Sequence, residues 1–465
     1  MDESESGDID WENELRKFQN AIATGTKSKR IKAMSMLARY SKHAPEHVLA
    51  RTIPFLMEIL GHNNRSIDSA NFSLQMASAY CLKCIACRSD ELVTQMGANG
   101  AAQLLLNLLP HSDGMFLKVL VKCLLVVVGF CNTSRAVVAT AGGLGIIVNK
   151  LSSCEDRGIR RYLLEILSLL ALRRNVRREI VRLDALHYVV EAVGVGSMVS
   201  RERACQAIGM FGVTREGRRA VVELGAILPV VELFCSGDHT TKLVAGNTLG
   251  VISAHVDCIR SIAQAGAVPL YSELLEGGDP SGKDIAEDAF CVLAVDEANA
   301  IEIVGHLVRI MRDGDNEAKA AAANVVWDLS TYNHSIPVVR DSGVIPVLVE
   351  LLGSGSNDVK ENVSGAFSQM SYDRVNRIAL SDAGVVPIFI DLLHDDFEEL
   401  RDNAAEALVN FYEDPLYHDS VSHIIDVPSF RSMQNRLAQL RETNERAPVE
   451  RMNIDLPAWN SDQIT

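Results

Sequence analysis

The sequence predicts an all-α fold in which short helices stack in repeated units as a solenoid. Three observations predict it. Hydrophobic residues make up 48% of the 465 residues but aromatic residues only 5%, so Ala, Leu and Val dominate the apolar runs, as in tightly stacked helices. A Gly-apolar-Pro element recurs along the chain, and each copy precedes an apolar run of helical length.

The recurring element sets the length of the repeat. Four copies begin at Gly225, Gly266, Gly343 and Gly384. Alignment on the apolar residue nine places later adds five more starting points, which are Arg51, Gly100, Gly142, Asp184 and Glu302. The successive spacings are 49, 42, 42, 41, 41, 36, 41 and 41 residues, close to the roughly 40 to 47 residues of two- or three-helix repeats. Nine units are therefore predicted.

Each unit is predicted to hold a Gly turn, a helix of about ten residues, a polar loop and a longer helix. The turn Gly supplies the positive φ that ends one helix, and Pro is tolerated in the first turn of the next. The longer helices are predicted, for example, at Asp358 to Ser371 and Leu400 to Tyr412. One unit cannot close a core alone, so neighbouring units must stack.

At these residues the chain resembles the armadillo-repeat superfamily over roughly Lys27 to His423. The resemblance implies a right-handed superhelical solenoid in which the third helix of each repeat lines the concave side. The pattern is similar to plant-type proteins made only of armadillo repeats and to the arrays that follow a U-box, although this sequence shows no U-box.

The predicted organisation is an acidic segment at 1–25, a capping helix within 26–50, nine repeats over 51–425, a second capping helix at 426–446 and a flexible tail at 447–465. Thr26 to Ser41 is typical of a lone third helix, and the carboxyl cap is predicted from helical spacing of Phe430, Met433, Leu437 and Leu440. Caps cover the apolar faces of terminal repeats.

Two intervals depart from the repeat. The first is longer than the next, so a protruding loop is expected within His62 to Ser69. The interval from Gly266 to Glu302 is short, and Asp296 to Ala300 leaves little room for a first helix. We expect a bend there.

Charge and cysteine usage limit the function classes. The net charge of −15 argues against nonspecific polyanion binding, so nucleic acid is not expected as a partner. No secretory signal is found in Met1 to Asp10, and the apolar run Val119 to Cys131 is too short to span a bilayer. The ten cysteines mostly lie in apolar helical runs, which favours a reducing compartment, the cytoplasm or the nucleus.

Motifs for chemistry are weak, and no catalytic residue, cofactor or metal is predicted. Gly277 to Lys283 matches the glycine and lysine positions of a phosphate-binding loop, but Asp284 replaces the magnesium-binding Ser or Thr and no strand precedes it, so no nucleotide is predicted. Cys81, Cys84 and Cys87 lack a fourth zinc ligand and are interpreted as helix residues.

The candidate binding residues come from aligning the third helices on their apolar core residue, for example Leu167 and Ile208. Seven residues earlier, every full repeat after the first has a cation. The eight residues of this basic ladder are Lys118, Arg160, Arg201, Lys242, Lys283, Lys319, Lys360 and Arg401. Two interpretations stay open. The ladder is either an inherited, solvated feature of the repeat or a row of cations for an acidic partner.

Charge is also uneven along the chain. From Arg157 to Arg219 there are thirteen Arg, no Lys and six acids, a local balance of +7. Importin-α proteins, which share this repeat, clamp basic peptides with Trp and Asn ladders. The Asn position here holds Val127, Leu169, Met210, Val251 and Val292 in five repeats, so that ladder is absent. These apolar residues indicate either deeper burial or an apolar groove.

The predicted function is therefore a non-catalytic adaptor that holds a protein or peptide segment in the superhelical groove. We expect an acidic segment at the Arg157 to Arg219 region and a basic one near the acidic carboxyl-terminal repeats. One alternative is a phosphoinositide or membrane-surface binder that uses the same Arg patch. Another is a substrate-recognition component in ubiquitin transfer.

Overall fold

A computed structural model describes residues 9–62, 69–140, 142–332 and 334–446, with side chains placed except at 69–71 and 442–446. Every regular element in these ranges is a helix. The chain divides into two compact units, Met1–Ala265 and Gly266–Thr465. The predicted all-α repeat solenoid is confirmed. The predicted loop within His62 to Ser69 and the predicted flexible tail at 447–465 lie outside the described residues, apart from the two ends of the loop.

The first unit contains the amino-terminal helices and the repeats up to the first helix of the sixth. Its helices are α1 (Trp11–Thr24), α2 (Lys27–Tyr40), α3 (Glu46–Gly61), α4 (Ser69–Ala86), α5 (Asp90–Ala98), α6 (Ala101–Leu108), α7 (Gly114–Phe130), α8 (Asn132–Thr140), α9 (Gly143–Ser153), α10 (Arg157–Ala171), α11 (Arg174–Arg182), α12 (Leu186–Gly194), α13 (Met198–Gly212), α14 (Arg215–Glu223), α15 (Ile227–Ser236), α16 (His239–Ser253) and α17 (Val256–Gln264). A 3-10 helix, Leu109–His111, follows α6.

The second unit continues the repeats and ends in the carboxyl-terminal helix. Its helices are α18 (Ala267–Glu276), α19 (Pro280–Leu293), α20 (Glu297–Asp313), α21 (Asn316–Leu329), α22 (Ile336–Asp341), α23 (Val344–Ser354), α24 (Asn357–Met370), α25 (Arg374–Asp382), α26 (Val385–Leu392), α27 (Glu398–Glu413), α28 (His418–Val421) and α29 (Pro428–Arg446). A 3-10 helix, Ser422–Ile424, lies between the last two.

The turn residues adopt the backbone conformation that the repeat requires. The turn glycines at 100, 142, 225, 266, 343 and 384 have φ between 71° and 90°. Asp184, which replaces Gly at the fourth starting point, is the non-glycine residue with positive φ, at 52°. Asp tolerates this left-handed region better than most side chains because its short polar group bonds locally.

The short interval of the seventh repeat gives one continuous helix in place of the first and second helices, as α3 also does across Arg51 in the first repeat. Asp296 caps the helix by accepting the backbone N–H of Asn299 at 3.3 Å, and α20 then runs without a break to Asp313. The missing residues are therefore those of the turn between the first and second helices. The bend that we expected at this repeat stays a prediction.

Stacking of the third helices forms the core of each unit. In the first unit α4, α7, α10, α13 and α16 pack successively, and in the second unit α21, α24, α27 and α29 do so. Leu167 and Phe367, two of the core residues used in the sequence alignment, are fully buried, whereas Leu125 of α7 is half-buried. Truncating a buried Phe of this kind to Ala typically costs about 3 to 5 kcal/mol.

The two ends differ in part from the sequence analysis. The acidic amino-terminal segment contains α1, which buries Leu15, Phe18 and Ile22 and packs on α2 and α3. In α29, Phe430, Met433 and Leu437 are buried against the last repeat, whereas Leu440 is 54% exposed and does not belong to the buried stripe.

A helix that crosses a bilayer needs about 20 predominantly apolar residues. Within the described residues no single helix is long and apolar enough to cross a membrane. Among the same described residues, α7 and α8 match in length and composition when taken together, but they are bent by 118° where they meet.

Candidate functional site

The eight residues of the basic ladder lie at or near the amino-terminal ends of the third helices. All eight side chains lie in residues of intermediate burial. They do not form a row of fully exposed cations. Each of the two units holds four of them.

The three arginines of the basic ladder each donate to a backbone carbonyl of their own repeat, and Arg160 also bonds to Glu191 of the next repeat. Nη1 of Arg160 donates to the carbonyl oxygen of Leu151 at 2.7 Å, and Nε donates to Oε1 of Glu191 at 2.6 Å. Nε of Arg201 donates to the carbonyl of Val193 at 2.7 Å. The two carbonyl acceptors, Leu151 and Val193, lie near the carboxyl ends of second helices, where carbonyls lack intrahelical partners.

Arg401 makes the same kind of contact in the second unit. Its Nη1 donates to the carbonyl of Asp395 at 2.8 Å, just after the second helix α26. The three ladder arginines are therefore capping donors in this structure. Whether they also contact a partner stays a prediction.

Two ladder lysines reach forward to the next repeat. The Nζ of Lys118 lies 4.0 Å from Oδ1 of Asp156, and the Nζ of Lys283 lies 3.1 Å from Oε2 of Glu317. Lys283 is the lysine of the loop that resembles a phosphate-binding motif. Its ammonium group is thus paired with the carboxylate of Glu317. Lys242, Lys319 and Lys360 are half-buried on their helices.

A second series of arginines, which the sequence analysis did not identify, lies in the first helices. Arg135, Arg177, Arg218 and Arg377 each stand seven residues before a repeat starting point. Each guanidinium donates to two adjacent carbonyl oxygens at the carboxyl end of the preceding third helix, at 2.7 to 3.2 Å. The constant spacing was the available signal. These four residues are called the anchored arginines below.

An open apolar groove crosses three successive third-type helices, α2, α4 and α7. It encloses about 540 Å³. Phe72 and Tyr80 of α4 are 47% and 49% exposed, and Met115 of α7 is 67% exposed. Ile31 and Val119 also contribute to its apolar lining. An exposed apolar surface of this kind is typical of an interaction site.

The apolar residues at the importin-α Asn position are partly explained by burial. Val127 is fully buried and Leu169 is 4% exposed, so these two do not line a groove. Met210 and Val251 are half-buried. Asn410 is buried, and its Nδ2 donates to Oγ of Ser371 at 2.9 Å, so its amide serves the helix contact.

The second unit carries clustered carboxylates on α19 and α21. Burial raises the pKa of Glu287, and the charges of Asp284 and Asp328 raise it further. A hydrogen bond from Asn324 acts in the opposite direction. Burial and the charge of Asp288 also raise the pKa of Asp328. Negative charge is therefore concentrated here, and a cation would relieve the repulsion.

The three cysteines with metal-like spacing differ in exposure. Cys81 is buried, Cys84 is half-buried and Cys87 is exposed. No group of three or more His, Cys, Asp or Glu side chains in the described ranges is arranged to hold a metal ion.

Two repeats match a known family. The model of the Armadillo/beta-catenin-like repeat matches residues 333–372 and 373–411. No curated protein shows significant sequence similarity to the chain.

Several solved structures are similar in fold. An engineered protein from the Northeast Structural Genomics Consortium covers 86% of this chain and 98% of its own, with a TM-score of 0.59 and 22% identity. A designed armadillo repeat protein covers 48% of this chain and 99% of its own, with a TM-score of 0.37 and 21% identity. Another, solved with the peptide (KR)4, covers 49% and 99%, with a TM-score of 0.40 and 20% identity.

Proposed function

We propose that the chain, in which two repeats match the model of the Armadillo/beta-catenin-like repeat, is a non-catalytic scaffold that holds a partner protein segment along its third helices. The observation that carries the proposal is the open apolar groove on α2, α4 and α7. Exposed aromatic and Met side chains on successive helices offer adaptable apolar contact to an extended segment.

Electrostatics give the proposed surface two different preferences. The thirteen arginines between Arg157 and Arg219 favour an acidic segment in the first unit. The carboxylates around Glu287 and Asp328 favour a basic segment in the second unit. The preference for an acidic segment is thus a property of the first unit, and the preference for a basic segment is a property of the second.

Site-specific crosslinking tests the groove. A photoreactive amino acid at Tyr80 is expected to capture a partner segment in cell extract, and mass spectrometry then identifies the crosslinked peptide. The matched control places the same group at Leu228 of α15, which is 69% exposed outside the groove. Capture of the same segments at both positions would contradict a groove-specific function.

The identified segment is then tested as a synthetic peptide. Phe72→Ser together with Met115→Ser is expected to weaken its binding at least tenfold, because several apolar contacts are lost at once. Leu228→Ser serves as the control for loss of an exposed apolar side chain. Unchanged affinity in the groove variant would refute the proposal.

A further inference from the structure

An apolar pocket lies between α1, α2 and α3 and encloses about 280 Å³. Its walls include Trp11 of α1, Tyr40 of α2 and Val48 of α3. The rings of Trp11 and Tyr40 meet edge to face with their centroids 5.9 Å apart. Helix α1, which belongs to no repeat, therefore forms a cavity with the two helices that it covers.

The pocket is separate from the groove of the proposed function, although both use α2. Ile31 and Ser35 line the groove, whereas Lys29, Ala33 and Met36 line the pocket. At 3.6 residues per turn these two sets lie on largely opposite sides of the helix. The pocket and the groove share no lining residue.

The walls of the pocket are suited to a hydrocarbon chain. Four wall residues are at most 8% exposed, namely Leu15, Phe18, Leu37 and Val48. Thr52 also lines the pocket, but its hydroxyl donates to the carbonyl of Leu49 at 2.7 Å. A peptide backbone loses hydrogen bonds to water when it enters an apolar cavity. A hydrocarbon chain loses none, so it fits this interior better than an extended segment does.

The volume limits the length of that chain. A cavity of about 150 Å³ lined by Leu, Ile and Phe takes up one benzene molecule. A pocket of about 280 Å³ therefore accommodates roughly ten carbon atoms. A single chain of medium length meets this limit, whereas the two long chains of a membrane phospholipid exceed it.

Lysines surround the mouth of the pocket. Lys17, Lys29 and Lys32 line it together with Glu14. Nζ of Lys17 lies 2.7 Å from Oε1 of Glu14, so these two charges compensate each other. Lys29 and Lys32 are exposed. In the part of the chain that the structure describes, neither of their ammonium groups pairs with a carboxylate. Two positive charges thus remain beside an apolar cavity.

The start of α2 concentrates positive charge where the helix dipole disfavours it. Lys27, Lys29, Arg30 and Lys32 lie within its first six residues, and its first turn contains no acidic residue. Thr26 occupies the N-cap position without a side-chain hydrogen bond. The amino end of a helix carries a partial positive charge, which repels cations and favours an anion. The cavity supplies the site, and this charge pattern supplies its preference for a negative head group.

We propose that the pocket binds a free medium-chain carboxylic acid. Its hydrocarbon chain fills the cavity, and its carboxylate accepts hydrogen bonds from the ammonium groups of Lys29 and Lys32. The apolar stems of the two lysines extend the wall around the first carbons of the chain. This inference goes beyond the proposed function, because a small-molecule site on α1, α2 and α3 does not require a partner segment in the groove.

Calorimetric titration of the full chain with decanoate tests the proposal. Decanol has the same chain without the charge, and acetate has the same head group without the chain. Below the micelle-forming concentration, we expect decanoate to bind about tenfold more tightly than decanol, because hydrogen bonds to charged groups are the stronger ones. Acetate should not bind measurably. Absence of decanoate binding, or equal binding of decanoate and decanol, would overturn the inference.

Fluorescence of Trp11 locates the ligand, because this side chain lines the pocket. Trp327→Phe with Trp459→Phe leaves Trp11 as the remaining tryptophan. Decanoate is expected to shift its emission to shorter wavelength at the concentrations that saturate the calorimetric signal. Binding of decanoate without any change at Trp11 would place the ligand elsewhere and overturn the assignment.

Two variants separate the cavity from the charge. Ala33→Phe places a ring in the pocket and is expected to weaken decanoate and decanol alike by about tenfold or more, because apolar contact is lost. Lys29→Gln with Lys32→Gln is expected to remove the preference for decanoate while retaining the binding of decanol. Thermal unfolding checks that each variant is folded. The lysine variant decides the question if Ala33→Phe does not fold.

A matched control removes the same amount of charge outside the pocket. Arg39 and Lys42 are exposed near the other end of α2 and do not line the pocket. Arg39→Gln with Lys42→Gln is expected to keep the preference for decanoate. Loss of the preference in this control as well would show an effect of general positive charge and overturn the assignment to Lys29 and Lys32.

A series of chain lengths checks the size of the site. From hexanoate to decanoate, the affinity is expected to rise by up to about fourfold per methylene group and then to level off when the cavity is full. An unchanged rise through tetradecanoate would overturn the assignment to a cavity of this volume.

Two further measurements distinguish other occupants. Flotation with phosphatidylglycerol vesicles that is lost in Lys29→Gln with Lys32→Gln would identify a membrane surface and overturn the inference. So would competition between decanoate and the partner segment captured at Tyr80, since the segment would then enter the pocket. If decanoate does not bind but the groove captures its segment, only this inference fails. If decanoate binds and the groove captures nothing, the proposed function alone fails.

Discussion

Replacing Arg173 with Asp is expected to stabilise the first unit. Arg173 occupies the N-cap position of α11 with φ −88° and ψ 132°, and its side chain makes no capping hydrogen bond. At the equivalent N-cap, Asp373 accepts the backbone N–H of Asn376 at 3.0 Å. In Arg173→Asp the new carboxylate is therefore positioned to accept the N–H of Val176.

The magnitude follows from two contributions. An N-cap side chain of this type is worth about 1 kcal/mol, within a range of about 0.5 to 2. The charge reversal opposite Arg135 adds about 0 to 1 kcal/mol, because the site is partly exposed and solvent screens the pair. We expect the free energy of unfolding to rise by about 1 to 2 kcal/mol.

Urea unfolding followed by circular dichroism measures the change, and amide exchange at Val176 locates it. Arg173→Asn is the matched control, because Asn caps as well as Asp but carries no charge. The free energy of unfolding gained with Asp beyond that gained with Asn then reports the interaction with Arg135. This difference should disappear when Arg135 is also replaced by Gln. No gain in either variant would refute the capping geometry, and equal gains would refute the proximity of the two charges.

Three other substitutions test packing and charge in the second unit. Gly365→Ala is expected to destabilise by about 1 to 3 kcal/mol in chemical unfolding, because a Cβ there would lie 2.5 Å from Cε2 of Trp327. Gly353→Ala, where a Cβ meets nothing within 4 Å, is the control and should not destabilise. Burial raises the pKa of Glu287, so the stability that its protonated form contributes is lost as pH rises from the unfolded pKa through the folded one. Glu287→Gln should therefore stabilise at pH 7 but not at pH 3, and stabilisation equal at both would contradict this. The N–H of Leu416 and the guanidinium of Arg377 hold the pKa of Asp414 below its usual range, so its contribution is present at pH 7 and lost as pH falls through the folded pKa. Asp414→Asn should destabilise at pH 7 and lose this effect in acid, and an effect independent of pH would count against the pairing.

The repeat and its turns could be predicted from the sequence because each is a local property. A positive φ at a turn constrains the residue itself, so Gly or Asp at the starting points carries the information directly. The fused helix α20 also had a local signal, a shortened interval. Helix α1 was missed because it belongs to no repeat, although Leu15, Phe18 and Ile22 have helical spacing.

The hydrogen-bond partner of a long side chain could not be predicted in the same way. The sequence places Arg160 and Arg201 at the start of third helices, but their acceptors are carbonyls eight or nine residues earlier in the chain. Which carbonyls are unpaired depends on where each second helix ends and how the following loop returns. Helix ends are among the least certain features of a sequence-based prediction.

A regular row of charges in a repeat protein is therefore not by itself a sign of ligand binding. The anchored arginines and the ladder arginines recur because helix ends recur, and each recurrence brings carbonyls that need donors. Regularity is then explained by the scaffold without any ligand. A departure from a recurring cap lacks that explanation. Asp296 and Asp373 each cap a helix six residues after a core residue, whereas Arg173, at the corresponding place before α11, makes no capping hydrogen bond. Arg173 therefore departs from the capping pattern of its own scaffold, and the gain in stability expected for Arg173→Asp measures what that departure costs.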